Sequence, residues 1–266
     1  MTFAPTFNNP IGRGHYAEVF AEPWGEGRAA VKLLHARYAA VKPFVAFFDR
    51  EAEALALLDH PLFPKVLARG SVPSKLGNRP WLALEHRLGT APEVGADLHP
   101  AMLRRLALDL LDGLDHLHSR HLLHRDLHPR NLLRTDEGAV TLLDLGNVWF
   151  LDGGPRNDLA AGEEPRLGSP ETMAPEQFLG EAHRFGPATD LYGLGCTLLA
   201  LKRGRWHFDE RRFPILQSLH LDPDATWRQL RGDPFERWLL RLVACNPEAR
   251  PQTARQAAAL LEALPD

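Results

Sequence analysis

Cysteine is scarce in this chain of 266 residues: only Cys196 and Cys245 are present, and they lack the spacing of a metal site or a disulfide framework. Both are expected as buried, reduced thiols. A surplus of positive charge is also missing. Thirty-one Lys and Arg face 34 Asp and Glu, a formal net charge of −3, so no strong basic field gathers nucleic acid or an anionic membrane surface. No apolar run is long enough to span a bilayer. The opening Met1-Thr2-Phe3-Ala4-Pro5 lacks the basic-then-apolar order of a secretory leader. The expectation is a soluble cytoplasmic protein with neither nucleic acid nor membrane as partner. Its oligomeric state is left open.

No internal repeat is present, and the length suits one large domain or two closely packed lobes. The first third alternates short β-like runs, such as Ala29–Leu34 and Trp81–Leu84, with Gly/Pro breaks. Between them, Phe44, Phe47, Phe48, Leu55 and Leu58 recur at helical spacing. That helix is predicted to stop near Asp59-His60-Pro61, because proline disfavours helical geometry in the residue before it. The remainder reads as mostly helical. Leu103, Leu106, Leu110, Leu114 and Leu117 mark a buried helix, and the nearly all-apolar Asp190–Leu201 predicts one buried on every side. Amphipathic helices are predicted over Phe235–Ala244 and Thr253–Leu264.

The chemistry concentrates in His124-Arg125-Asp126-Leu127-His128-Pro129-Arg130-Asn131. An aspartate there can orient a hydroxyl and accept its proton, and an asparagine five residues later can reach a phosphate-bridging metal. Asp144-Leu145-Gly146 follows an apolar run, and Ala174-Pro175-Glu176 comes after it. Upstream stand Ala30-Val31-Lys32 and the glycine-rich Ile11-Gly12-Arg13-Gly14-His15-Tyr16-Ala17-Glu18-Val19. In this order the motifs resemble the eukaryotic-type serine/threonine protein kinase catalytic domain, from about Ile11 to the last helix. Leucine stands for phenylalanine in D-F-G, and Ala17 for the third glycine.

The resemblance implies an α+β bilobal fold, with a small antiparallel sheet and one key helix in residues 1–85. The connection and a larger, mainly helical lobe would fill residues 86–266. It implies ATP and Mg2+ as cofactors and a protein substrate. Asp126 would be the catalytic base, and Lys32 the cation for the nucleotide phosphates, held by a carboxylate of the helix. Glu51 fits the family spacing, and Glu53, roughly 200° around the helix from it, cannot face the same way. Gly12 and Gly14 would let backbone amides approach phosphate. Ile11 closes the nucleotide-contacting set above, Val19 and Ala30 would cover adenine, and Leu133 would lie below it. The connection around Glu85 to Arg87 would offer it backbone hydrogen bonds. Asn131 and Asp144 would hold the metal through hard oxygen ligands. Asp190 resembles the aspartate that braces the catalytic loop, and Glu176 with Arg250 a buried ion pair.

His128 departs from the family, which carries lysine at that position in contact with the γ-phosphate. If His128 takes that role, nearby negative charge should raise its pKa. The run Asp126-Leu127-His128-Pro129 also looks like small-molecule kinases related to aminoglycoside phosphotransferases. Against that, Arg125, Ala174-Pro175-Glu176 and Gly168-Ser169-Pro170-Glu171 fit the protein kinase pattern. A weakly active, ATP-binding scaffold is the third reading. From Leu145 to Gly168 there is no Ser, Thr or Tyr, so loop phosphorylation has no acceptor. Asp158, Glu163 or Glu164 is the expected stand-in for a phosphate on Arg125.

Overall fold

Five strands and one helix build the first lobe. Strands β1 (Pro10–Arg13), β2 (Ala17–Trp24) and β3 (Gly27–Leu34) precede helix α1 (Lys42–Ala56), and β4 (Val66–Ser74) and β5 (Gly77–Glu85) follow it. The strands form one antiparallel sheet in the order β1-β2-β3-β5-β4. This is a computed structural model, and it describes residues 3–96, 98–153, 157, 168–206, 220–221 and 232–265.

Register decides which side chains share a face. Lys32 stands opposite Val19 on one side and Leu82 on the other, so these three project together, with Ala30 and Leu84 two residues along. The opposite face carries Phe20, Val31, Leu33, Trp81 and Ala83, a separate apolar cluster capped by Phe3 and Phe7. The buried Glu22 carboxylate ties that N-terminal segment down by accepting the amides of Thr6 at 3.1 Å and Phe7 at 2.6 Å.

Helix α1 turns Phe47, Phe48, Glu51, Ala52 and Leu55 inward. It ends at Ala56, earlier than the predicted stop at Asp59-His60-Pro61. The chain leaves the helix so that Leu58, Leu62 and Phe63 can enter the common core.

The larger lobe is built on α2 (Pro100–Ser119), whose five predicted leucines are all buried. Gly113 of α2 lies against Leu62, and any Cβ at that position would collide with the leucine side chain. Short paired strands follow: β6 (Leu122–Leu123) with β9 (Trp149–Phe150), and β7 (Leu132–Arg134) with β8 (Val140–Leu142). Helices α3 (Pro175–Leu179), α4 (Pro187–Arg203), α5 (Pro234–Leu242) and α6 (Ala254–Glu262) complete the described chain. As its composition predicts, α4 is buried all round from Ala188 to Leu201. Cys196 lies on it as a buried free thiol, and Cys245 is a half-buried one. Among the described residues no helix is long and apolar enough to cross a membrane.

Helix α3 is fastened to the end of the chain by one ion pair. Arg250 reaches both oxygens of Glu176 at 2.7 and 2.9 Å, with both side chains fully buried. The remaining guanidinium donors go to the carbonyls of Ala188, Ala244 and Cys245, and Thr189 Oγ1 donates to the carboxylate. Such complete pairing is what makes a buried charge tolerable. Replacing one partner, in Arg250→Met or Glu176→Gln, is expected to destabilise the chain by about 3–5 kcal/mol. Urea unfolding checks this, and a loss below about 1 kcal/mol would contradict it.

Candidate active site

Lys32 reaches the face of β3 beneath α1 and there meets two carboxylates. Its Nζ lies 2.7 Å from Glu51 Oε2 and 2.7 Å from Asp144 Oδ1. Burial alone would lower the proton affinity of Lys32, but Asp144 and Glu51 outweigh it and hold the ammonium above the usual lysine range. Burial pushes Glu51 up, with Lys32 pulling the other way. Burial also opposes the charge of Asp144, yet Lys32 leaves that carboxyl below the ordinary range. The two acids differ in exposure: 2% of the Glu51 side chain is accessible against 46% for Asp144. Glu51 is therefore the fixed anchor, and Asp144 faces the cleft.

Asp144 adopts a left-handed backbone, φ 62°, and its Oδ1 accepts the Gly146 amide at 3.2 Å. This conformation is unusual for a residue with a Cβ and has to be held by its surroundings. The neighbouring Leu145 supplies that hold, fully buried in the main core on a turn that packs against α1.

Asp126 is held by uncharged donors. Ser169 N donates to Oδ1 at 2.8 Å, while Asn131 Nδ2 and Asn147 Nδ2 donate to Oδ2 at 3.2 and 3.1 Å. Asn131 also donates to the Asp126 carbonyl at 2.9 Å, which directs its amide nitrogen inward. Gly168 allows Ser169 to come so close. Its φ is +137°, and a Cβ there would sit 2.8 Å from the Arg125 carbonyl oxygen.

The catalytic-loop backbone is tied to α4. Asp190 accepts the amides of His124 at 2.9 Å and Arg125 at 2.7 Å, and His118 Nε2 lies 2.9 Å from the same carboxylate. Thr197 Oγ1 donates to the Leu127 carbonyl at 2.8 Å. The Arg125 side chain is buried between Trp149 and Phe185, 5.0 and 4.9 Å from their ring centres. Its expected acidic partners Asp158, Glu163 and Glu164 lie outside the described residues.

Gly14, Val19, Lys32, Glu51, Asp126 and Asp144 line one cavity of about 490 Å³ between the lobes. The structure thus brings most of the predicted chemistry to one place. The glycine-rich turn above it is closed by Gly14 N donating to Ala17 O at 2.8 Å, and His35 Nε2 lies 3.0 Å from Gly14 O. Tyr16 anchors the turn to α1, its ring 4.8 Å from that of Phe44. Ile11, Gly12, Ala30 and Leu133 lie outside the lining of this cavity. So do Glu85 and Arg87, which pair with each other at 2.9 Å. The amide of Glu85 donates to Lys65 O at 2.8 Å, and the Arg87 side chain lies along a second hollow with His60 and His86.

His128 differs from its expected role. Only 4% exposed, it stacks on Trp206 at 4.8 Å, and its Nδ1 accepts the Arg130 amide at 3.1 Å. Burial, then the charge of Arg130, push its pKa down to about 4, the reverse of the expected rise. A ring so placed is neutral at physiological pH and is not among the residues lining the cavity. Two lining residues escaped the sequence reading, Arg130 and Asn147. Both stand inside or directly beside motifs, but only spatial proximity to Asp126 distinguishes them from surface polar residues.

Among the described residues no three His, Cys, Asp or Glu side chains converge as a metal cage. Asn131 and Asp144 are a neutral and an anionic oxygen donor near Asp126 and Lys32. That set fits a hard cation which keeps water and phosphate among its ligands, as Mg2+ does.

Residues 6–259 match the family model described as protein kinase domain. The chain is 31% identical over 227 residues to the probable serine/threonine-protein kinase PknB of Bifidobacterium longum, covering 81% of this chain and 32% of that protein. It is 28% identical over 237 residues to the serine/threonine-protein kinase PknB of Mycobacterium tuberculosis, covering 85% of this chain and 37% of that protein. The chain therefore spans about a third of the length of these curated relatives. A cleft that joins a lysine to two acids under a glycine-rich turn, and a match along nearly the whole chain, lead to the same conclusion: this chain belongs to the protein kinase domain family.

Proposed function

We propose that the chain transfers the γ-phosphoryl group of ATP to serine or threonine hydroxyls of a protein substrate in the cytoplasm. The observation that carries this reading is the Asp126 carboxylate, fixed by Ser169, Asn131 and Asn147 in the same cavity as the Lys32–Glu51–Asp144 network. One wall holds cations and metal ligands for phosphate, and the other holds a base for a hydroxyl. The named relatives are serine/threonine kinases, which favours those two hydroxyls as acceptors.

Lys32 would meet the α- and β-phosphates, held in place by Glu51. Asp144 and Asn131 would hold Mg2+, which supplies charge neutralisation for the phosphates when bound. Gly12 and Gly14 would admit phosphate to backbone amides, while Ile11, Val19, Ala30 and Leu133 would enclose adenine beside the Glu85–Arg87 connection. Asp126 would orient the substrate hydroxyl and take its proton as the oxygen bonds to the γ-phosphorus. The bond from that phosphorus to the β–γ bridging oxygen breaks, and ADP leaves. Ser169 carries the substrate platform up to Asp126, and the Glu176–Arg250 pair fastens the following helix. This arrangement favours a peptide over a small-molecule acceptor.

Asp126→Asn is expected to lower turnover by about 10²–10⁴-fold while leaving MgATP affinity unchanged. Full turnover in this variant would remove Asp126 from the mechanism. Incubation of the chain with labelled ATP, Mg2+ and a cell lysate is expected to label serine and threonine in protein. Label confined to small molecules would overturn the choice of acceptor.

Asn147→Leu removes one neutral donor from Asp126. It is expected to lower kcat on the order of tenfold, about 1.4 kcal/mol in the transition state, with KM for ATP unchanged. Asn147→Gln, which keeps an amide, should recover part of the loss. Equal kcat in Asn147→Leu and the unaltered chain would reduce this contact to packing.

A further inference from the structure

A glycine-rich turn takes its shape from glycine conformations or from bonds made to it from outside. Here the glycines do not supply it. Neither Gly12 nor Gly14 has a positive φ, and Ala17 stands at the third position. The outside bonds are present instead. His35 Nε2 lies 3.0 Å from Gly14 O, Arg37 Nη2 donates to His15 O at 3.1 Å, and His35 N donates to Tyr16 O at 2.8 Å. A carbonyl only accepts, so His35 Nε2 is the donor in the first contact.

All three donors belong to His35 and Arg37, at the short turn that follows β3. His35 is buried. The Arg37 guanidinium lies over the Tyr38 ring at 4.8 Å, and that ring packs on Phe44 of α1 at 4.3 Å. The donors are thus braced by the helix that carries Glu51. The peptides they hold are trans, and the N–H of a trans peptide points away from its own C=O. Three carbonyls drawn to one side leave the amides of His15, Tyr16 and Ala17 on the other. These residues line the cavity with Asp126 and Lys32, and among the described residues their amides have no hydrogen-bond partner. Successive free amides facing one hollow suit an anion.

We propose that His35 and Arg37 are positioning residues for phosphate: they hold the carbonyls of the glycine-rich turn away from the cavity and so keep its amides aimed inward. This rests on the reading of the cavity as a site for ATP. Neither side chain is among the residues lining the cavity, so each acts through the turn.

The test compares adenosine with MgADP by calorimetry on the unaltered chain, Arg37→Met, Arg37→Lys, His35→Leu and His35→Gln. Adenosine has no phosphate, so it reports the fold and the adenine end of the cavity. Arg37→Met and His35→Leu should each bind MgADP on the order of three- to tenfold more weakly, with adenosine affinity unchanged. Arg37→Lys and His35→Gln keep a donor and should recover part of the loss. Arg37 is exposed, so its replacement tests the proposal even where loss of the buried His35 ring unfolds the lobe. Amide exchange gives a second readout. MgADP should slow exchange at His15, Tyr16 and Ala17 in the unaltered chain, and slow it less in Arg37→Met. MgADP affinity kept in Arg37→Met would overturn the proposal. So would a loss of affinity with the three amides still protected, which would make Arg37 a remote charge. Equal losses for adenosine and MgADP would also overturn it and make the segment a general support of the lobe. If the unaltered chain binds no nucleotide, the reading of the cavity as an ATP site fails and the proposal with it. If MgADP binds as expected but no protein is labelled from ATP, the kinase reading alone fails and the role of His35 and Arg37 stands.

Discussion

Everything the catalytic loop does depends on one carboxylate with no access to water. Asp190 is fully buried at the start of α4 and receives two consecutive backbone amides, those of His124 and Arg125, with His118 beside it. Burial works against its charge, yet His118, His124 and the Arg125 amide hold its carboxyl below the ordinary range. The Arg125 backbone has positive φ, 64°, which a non-glycine residue adopts only where its surroundings compel it. The Asp190 bond to its amide is one such constraint, and Gln177 Nε2 adds another by donating to the Arg125 carbonyl at 3.1 Å. Asp126 is the next residue, so its position inherits this rigidity from a helix that is buried all round.

Two kinds of electrostatic control meet in the cavity. Around Lys32 the partners are charged: an ammonium between a buried and an exposed carboxylate, with the attractions outweighing desolvation. Around Asp126 the fixed donors are neutral amides of side chains and backbone. The difference suits the tasks proposed for Lys32 and Asp126. A group that binds phosphate needs a permanent charge held in place. A group that accepts a proton from a hydroxyl has to be aimed at that hydroxyl.

His128 and Arg130 show how a short turn distributes polar residues between core and cleft. The ring goes inward because Trp206 offers it an aromatic surface and the Arg130 amide gives its nitrogen a partner. Arg125, too, has an aromatic setting, between Trp149 and Phe185. Both cases place a polar side chain of the catalytic loop on apolar rings brought from other segments, where dispersion and the ring quadrupole act together.

The sequence by itself determined the family, the order of the lobes and the helices with strong leucine periodicity, and it singled out Lys32, Glu51, Asp126 and Asp144, which the fold brings to one cavity. Those depend on spacing: a period of two or 3.6 decides which side chains share a face, and the motifs set the distance between one functional group and the next. Spacing also singled out Glu51 over Glu53, and the two differ in burial as that choice requires. Only the tertiary structure decided the direction of His128, the approach of Asn147 to Asp126 and the exposure of Arg130 in the cavity. It also ended α1 before its proline signal, because Leu58, Leu62 and Phe63 had a core to fill. The physical reason is common to the three polar side chains. Local pattern sets a residue's face and register, but the direction of a polar side chain follows from partners far along the chain, and those meet it only once the lobes have packed.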